Sequence, residues 1–519
     1  MPGINTSMGT SASMKSLLKT ERDMLKAMER ISSGKRINSA GDDAAGAAIS
    51  DRMTATIRAL DMSIRNAADV LSMAQVAEGA LDNHSQALQR IRELSIQAAT
   101  DILNAEQRIY LQTEASQLLE EMDRVARDTT FNEIAVLDGT FSDRRFQIGS
   151  HEREKAVMSV ANLRINNLGA YQSETTVLDA GTAGNLSAEG VVGATKAAIT
   201  SKVVDGDNLE ITGLVGNATI DVAAGDTAKE IAEKVNDKFD STGVSATATT
   251  TVKVQVNSSD AAGTHNVGFK LYGKNSVGQA ISATITVGAT VGVSDLTNLR
   301  DAINSYTSNT GIRGTLSADN SYIILVQDEG EDVAIEKVDF ASVSNANTKF
   351  TFTGMNMDQD VSGTAKTTVV DTDSSDASDS ILFGGQVKFH SSQTFTIVGN
   401  AGGGLYEANP GVATLNQVAT INIRTVGGAV DALKVIDRAL DRIHMERAKF
   451  GAIMSRMNVV IDNLTNVSQN QRASRARIVD ADFALESARL SKSQILQQSA
   501  MNMVAQASRT MQNVLVLFQ

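Results

Sequence analysis

The sequence predicts a multidomain α+β chain in which N- and C-terminal helices pair into a coiled-coil stalk and a β-rich head is inserted between them. Three observations carry this. The two ends, 1 to about 175 and about 420 to 519, are rich in Ala, Met, Leu, Ile, Arg, Glu and Gln, whereas Thr, Ser, Val, Gly, Asn and Asp dominate the middle. Those compositions favour helix and strand respectively. Apolar residues in the two end blocks recur at alternating spacings of three and four, the pattern of a helix that buries one seam. Finally, 519 residues exceed what one hydrophobic core usually organises.

The N-terminal seam is Met14, Leu17, Glu21, Met24, Met28 and Ile31. It offers few large side chains, each worth about 1.5 to 3 kcal/mol when buried, against an ordering cost of about 1 to 2 kcal/mol per residue. Such a helix is marginal by itself and is expected to order when other surfaces cover it. The pattern stops at Ser32, Ser33 and Gly34, where Gly34 can take positive φ. Asn38 to Asp43 then supply turn and N-cap chemistry for a restart near Ala44. A joint between two stalk segments is expected there.

The next seam runs through Met53, Ile57, Leu60, Ile64, Ala67, Leu71, Ala74 and Leu81 to Leu88, Ile91 and Leu94. Near the other end, Leu433, Ile436, Leu440, Ile443, Arg447, Phe450, Met454, Met457, Ile461 and Leu464 sustain a heptad pattern broken only by Arg447. It lapses over Ser468 to Arg477, SQNQRASRAR, which reads as a second joint. A last seam comprises Leu496, Ala500, Met503, Ala507, Met511, Val514 and Phe518. For seams at opposite ends to meet, the middle must loop out between them.

Within the middle, AKEIAEKVNDKFDSTGVSA (Ala228 to Ala246) aligns without gaps to LTNLRDAINSYTSNTGIRG (Leu296 to Gly314) at a separation of 68 positions. With the flanking Thr/Val-rich stretches this predicts a repeated strand-helix unit at about 215–256 and 283–328. Residues 350 to 415 read as further sheet with long loops.

Composition and motifs exclude much chemistry. There is no Cys and no Trp, only two Pro (Pro2 and Pro410), and 4% aromatic residues. Disulfides and thiolate metal sites are ruled out. A net charge of -13 argues against nucleic acid and anionic membrane as partners. No run is long and apolar enough to span a bilayer, and no apolar segment precedes a cleavage site as in a Sec signal peptide. His84, His151, His265, His390 and His444 are scattered without a second ligand at metal spacing and read as surface residues. HEREK puts Lys155 where a zincin needs its second His. DTDSSDASDS (Asp371 to Ser380) lacks the Gly and Glu of a calcium loop, and AGGGL (Ala401 to Leu405) lacks the Lys of a phosphate loop. No metal, cofactor or catalytic residue is expected, and the sequence speaks for self-assembly.

RISSGKRINSAGDDAAGAAISDRM, RNAADVLSMAQVAEGAL, LQRIRELSIQAAT, FNEIAVLDGTF with FQIGS, and SRARIVDADFALESARLSKSQILQQSAMNMVAQASRTMQNVLVLFQ together resemble bacterial flagellin. The likeness covers about 1 to 170 and 425 to 519, and the repeated middle segments resemble a module of some flagellins and hook-associated proteins. It implies a subunit of the flagellar filament used for swimming, exported by the flagellar type III apparatus. The alternatives are a hook-filament junction protein, or a filament subunit whose central region carries an added binding activity. It further implies an inner-tube coiled coil from 1–44 with 465–519, an outer-tube helical domain with a β-hairpin from 45–176 with 420–464, and a surface-exposed variable region at 177–419. Partners implied are other copies in a helical homopolymer, cap and hook-associated proteins, and an export chaperone at the C-terminal region. A vertebrate innate receptor is a further implied partner, through Arg90, Leu94 and Glu114; for Leu94 plain seam packing is the competing reading.

Overall fold

A computed structural model describes residues 8–100, 102–174, 191–193, 203, 206, 208–258, 263–287, 294–317, 320–340, 348–355, 380–399 and 411–517. Its helices are α1 (Met8–Ser33), α2 (Ala44–Ala98), α3 (Ala105–Asp128), α4 (Ala228–Asp237), α5 (Phe239–Thr242), α6 (Thr297–Asn304), α7 (Thr307–Thr310), α8 (Val426–Val479) and α9 (Phe483–Leu517). The long helices stand at the two ends of the chain and the strands between them, as the composition predicts. The packing forms two units. One comprises Met1–Ala77, Ser142–Ser159 and Lys449–Gln519, the other Glu78–Phe141 and Val160–Ala448.

In the first unit α1 packs against α9. The break between α1 and α2 falls at the expected joint. Gly34 adopts φ +67, and Asp43 accepts a hydrogen bond from the Gly46 N–H at 2.9 Å, capping α2. A hairpin of Arg144–Gln147 and Lys155–Met158 is tied to α2 by the Asn66 amide donating to the Gln147 carbonyl at 2.9 Å.

The second expected joint is displaced. Ser468 to Arg477 is continuous helix within α8, and the break comes at Asp480–Asp482. The polar stretch keeps its helix by exchanging apolar packing for polar contacts to α2. Ser468 and Arg472 donate to the Asp61 carboxylate at 3.1 and 2.6 Å, and Arg475 donates to the Thr54 hydroxyl at 3.2 Å. Asp482 then caps α9, accepting from the N–H groups of Ala484 and Leu485.

In the second unit α2 and α8 are bridged by Arg92 to Asp437 at 2.7 Å and by Arg447 to Asp82 at 3.1 Å. The one polar member of the C-terminal seam is therefore an ion-pair partner. Asn104 and Gln107 form a capping box that starts α3.

The rest of this unit is largely antiparallel sheet around two large hydrophobic cores, with a small third cluster of Tyr272, Ala334 and Leu382 among the described residues. The repeat is visible in three dimensions. The first copy runs Leu209–Thr212, Asn217–Ile220, α4, α5 and Ser245–Ser258; the second runs Gly263–Tyr272, Gln279–Val287, α6, α7 and Ile312–Leu316. Each copy therefore includes a strand ahead of the segment that the sequence repeat delimits. The local bonds match. Asn236 brackets Ala246 through the strand residue's N–H (2.8 Å) and C=O (3.0 Å), and Asn304 brackets Gly314 likewise at 2.7 and 2.9 Å. Thr242 and Thr310 each donate to the carbonyl four residues back, and Gly243 and Gly311 close the helices at φ +71. The caps differ. Thr227 and Glu230 form a capping box on α4, whereas Asp295 accepts from the N–H and hydroxyl of Thr297 on α6.

Strand Ser245–Ser258 belongs to both cores because it keeps one parity throughout. Ala246 and Ala248 enter the first core, while Val252, Val254 and Val256 enter the second. Its neighbours are Gln386–Ser391 on the first stretch, then Tyr322–Gln327 and Thr348–Met355 on the second.

Candidate assembly surfaces

Two faces of the terminal helices matter, one turned to the chain's own partner helix and one turned away. On α1 the covered stripe is Leu17, Thr20, Met24, Ala27 and Ile31, with Thr20 and Ala27 buried and the other three half-buried. Leu17, Met24 and Ile31 of the predicted seam thus lie at the contact with α9. Met14 and Met28 do not: they are exposed, together with Leu18 and Leu25, on a second apolar stripe.

On α9 the covered stripe is Glu486, Leu490, Ser493, Gln497, Ala500 and Val504, which is largely small or polar. Glu486 is only 3% exposed and accepts from Arg30 at 3.2 Å and Arg489 at 2.8 Å. Hydrophobicity alone misses this face. The sign in the sequence is the heptad register of Glu486, Ser493 and Ala500 with a cation, Arg30, on the opposite helix. The apolar residues of the predicted seam, Leu496 and Met503, are exposed, and Met503 retains 64% of its surface. Ile495, Phe483 and Leu485 are exposed as well. Met511 and Val514 fall on α9, and Phe518 lies outside the described residues.

The α8 seam separates into two columns. Ile436, Ile443, Phe450, Met457 and Leu464, seven residues apart, are buried; Leu433, Leu440, Met454 and Ile461 are half-buried. A heptad seam therefore has one edge sealed within the chain and one edge with surface left over.

The joint between α1 and α2 is held to the break between α8 and α9. Arg36 donates its N–H to the Val479 carbonyl and its guanidinium to the Ile478 carbonyl, each at 2.6 Å, and the Ala481 N–H donates to the Gly34 carbonyl at 3.0 Å. Inside the joint, Asp42 accepts from the Asn38 and Ser39 N–H groups and pairs with Lys26 at 3.3 Å. Those hydrogen bonds, led by the Ser39 N–H, hold its carboxyl down to about 2.

Arg90 and Glu114 meet on the surface at 2.8 Å, with Glu93 also on Arg90. Leu94 is 1% exposed and belongs to the core between the helices, so the three positions do not form one accessible patch.

The histidine expectation needs correction. His151 and His444 are exposed, but His84, His265 and His390 are buried. For His84 one ring nitrogen is satisfied by the backbone, Nδ1 donating to the Ala80 carbonyl at 3.0 Å. Desolvation lowers the pKa of that ring. Among the described residues no three His, Cys, Asp or Glu side chains cluster as metal ligands, and no helix is long and apolar enough to cross a membrane. Most of DTDSSDASDS and all of AGGGL lie outside the described residues.

A chain whose two ends form paired long helices with leftover apolar stripes, and whose middle is a β-rich insertion, is a self-assembling structural subunit. Comparison with known proteins agrees. Three family profiles match: the bacterial flagellin N-terminal helical region over residues 4–142, the bacterial flagellin C-terminal helical region over 433–518, and the flagellin hook IN motif over 208–260. The last of these spans the first copy of the repeat. B-type flagellin of Pseudomonas aeruginosa is 34% identical over 529 residues, covering 99% of each chain. Flagellin B of Helicobacter pylori is 30% identical over 543 residues, again covering 99% of each. Flagellar hook associated protein-3 from Legionella pneumophila aligns with 82% of this chain and 98% of its own at 12% identity, with a TM-score of 0.34, too low to bear on the fold. The chain belongs to the bacterial flagellin family. It is accordingly a subunit of the extracellular flagellar filament, exported by the flagellar system, and it polymerises with copies of itself.

Proposed function

We propose that the filament contacts are made by the apolar stripes that the single chain leaves uncovered. Met14 and Met28 on α1, Leu496 and Met503 on α9, and the half-buried column of Leu433, Leu440, Met454 and Ile461 on α8 are closed by neighbouring copies. Leu17, Met24 and Ile31, and the sealed column of Ile436, Ile443, Phe450, Met457 and Leu464, hold each subunit together. Met511, Val514 and Phe518, the remaining positions of the seam read from the sequence, are assigned to the same filament contacts. In this reading 1–44 with 465–519 form the inner tube, 45–176 with 420–464 the outer tube, and 177–419 the outer surface. The observation that carries it is the opposite exposure of residues on one helix, with small or polar residues inside and Leu496 and Met503 outside. The contacts are heterologous, so that addition of copies does not close.

Seeded polymerisation tests it. The full chain extends filament fragments, and a chain lacking residues 1–33 and 483–519 does not. Equal extension by the trimmed chain overturns the reading. A junction role is less favoured, because the relatives matched over 99% of their length are flagellins. Cap proteins meeting the growing end and an export chaperone at the C-terminal helix complete the proposed partners. Any innate-receptor contact would use the Arg90–Glu114 surface, with Leu94 supporting it from within the core.

A further inference from the structure

The fastening between helix α8 and the first copy of the repeat is built around a buried histidine. His390, on strand Gln386–Ser391, is 2% exposed. Its Nε2 lies 3.1 Å from the Thr247 hydroxyl, and its Nδ1 is buried without a hydrogen-bond partner. Thr247, on the neighbouring strand, also accepts from Lys434 Nζ of α8 at 3.2 Å. One turn further along α8, Arg438 donates to the Ser245 hydroxyl at 2.9 Å, and its guanidinium stands 5.5 Å over the Phe239 ring. Ser245 in turn donates to the His390 carbonyl at 3.3 Å. The two strands are thus tied to α8 through hydroxyls that both neighbours share.

The direction of these bonds fixes the ring. An ammonium only donates, so Thr247 Oγ1 accepts from Lys434 and turns its own hydrogen to His390 Nε2. The ring is neutral, with its hydrogen on Nδ1. The charges that act on it are all positive: Lys388 on its own strand, and Lys434 and Arg438 on α8. The nearby carboxylates are engaged elsewhere. Glu174 pairs with Lys388 at 2.7 Å, Asp441 with Arg438 at 2.9 Å, and Asp437 with Arg92 at 2.7 Å. Asp431 lies one turn before Lys434 on the same helix.

We propose that His390 is an acid-operated fastener between α8 and the strands Ser245–Ser258 and Gln386–Ser391. A proton on the ring removes the acceptor used by Thr247 and sets a fourth positive charge among three, so the proton enters only when α8 and the strands part. Burial, reinforced by Lys434, Lys388 and Arg438, holds the pKa of the ring at about 3 while it is fastened, against about 6.5 for an ordinary imidazole. The opened form therefore gains population about tenfold per unit fall in pH between those two values, on the order of 10³-fold in all.

Hydrogen exchange of the full chain, corrected for the intrinsic pH dependence of amide exchange, tests this at 245–249 and 386–391. In the native sequence opening rises steeply from pH 6 to pH 4, whereas in His390→Gln it changes less than about threefold. Lys434→Gln, with one cation fewer, raises the pKa of the fastened ring and so ends the rise at a higher pH than in the native chain. Equal slopes in native and His390→Gln chains overturn the proposal. If His390→Gln does not fold, NMR titration of the five histidines of the native chain replaces it: ring titration near 6.5 at His390 overturns the proposal, and titration below about 4 supports it.

Discussion

Replacing Met503 by Ser separates the outer face of α9 from the inner one. Met503 keeps 64% of its surface in the single chain, so the substitution removes almost nothing that the subunit itself uses. Stability of the free chain should change by no more than about 0.5 kcal/mol, the usual range for an exposed site. In a filament the same side chain would be covered. Burying a whole Met contributes about 1.5 to 3 kcal/mol, and roughly two-thirds of that surface is still available here, which leaves about 1 to 2 kcal/mol for assembly. Because about 1.4 kcal/mol is a factor of ten in an equilibrium constant, the critical concentration for seeded growth should rise about 5- to 30-fold. The assay is sedimentation of polymer at graded subunit concentrations, beside denaturant melts of the unpolymerised chain. An unchanged critical concentration would refute the assignment of this stripe to neighbouring copies. So would a melt shifted by 2 kcal/mol or more, since the residue would then be holding its own subunit.

Three further outcomes follow from the geometry. A Cβ added at Gly46 would stand 2.5 Å from the Asp43 carboxylate and 2.8 Å from the tip of Ile37, so Gly46→Ala should turn Asp43 off the Gly46 N–H and lose a cap worth about 0.5 to 2 kcal/mol, offsetting the roughly 1 kcal/mol gain in helix propensity; a denaturant melt stabilised by the full ~1 kcal/mol would contradict it. Asn236→Ala and Asn304→Ala each strand one backbone N–H and one C=O and should cost about 1 to 3 kcal/mol apiece in denaturant melts; a large cost at one and none at the other would break the equivalence of the two copies. Asp42 has a carboxyl held below its unfolded value, so its stabilisation is complete above about pH 4 and is lost as pH falls towards 2. Acid melts of Asp42→Asn should therefore run closer to flat than the native chain over that window.

Much of this molecule was written in one dimension. The seams of α2 and α8, the joint at Gly34 to Asp43 and the repeated helices all appear as periodicity or turn chemistry, because each depends on residues within a few turns of one another. Asn236 and Asn304 could be paired from the alignment alone. The displaced break after Ser468 to Arg477 shows where local reading stops. A polar stretch looks like a gap in a seam until Asp61 and Thr54, some 400 positions away in the chain, supply its partners. The buried histidines are the same case: the Thr247 hydroxyl that meets His390 lies 143 positions away in the chain.

Residue pattern alone assigned the helical and stranded blocks, placed the joint at Gly34 to Asp43, and showed that the ends are made to pair. Which side of α1 and α9 faces inward came from the packing. Hydrophobicity marks a residue that wants cover without saying whose surface provides it. Here Glu486 is sealed by Arg30, while Leu496 and Met503 are left to the outside.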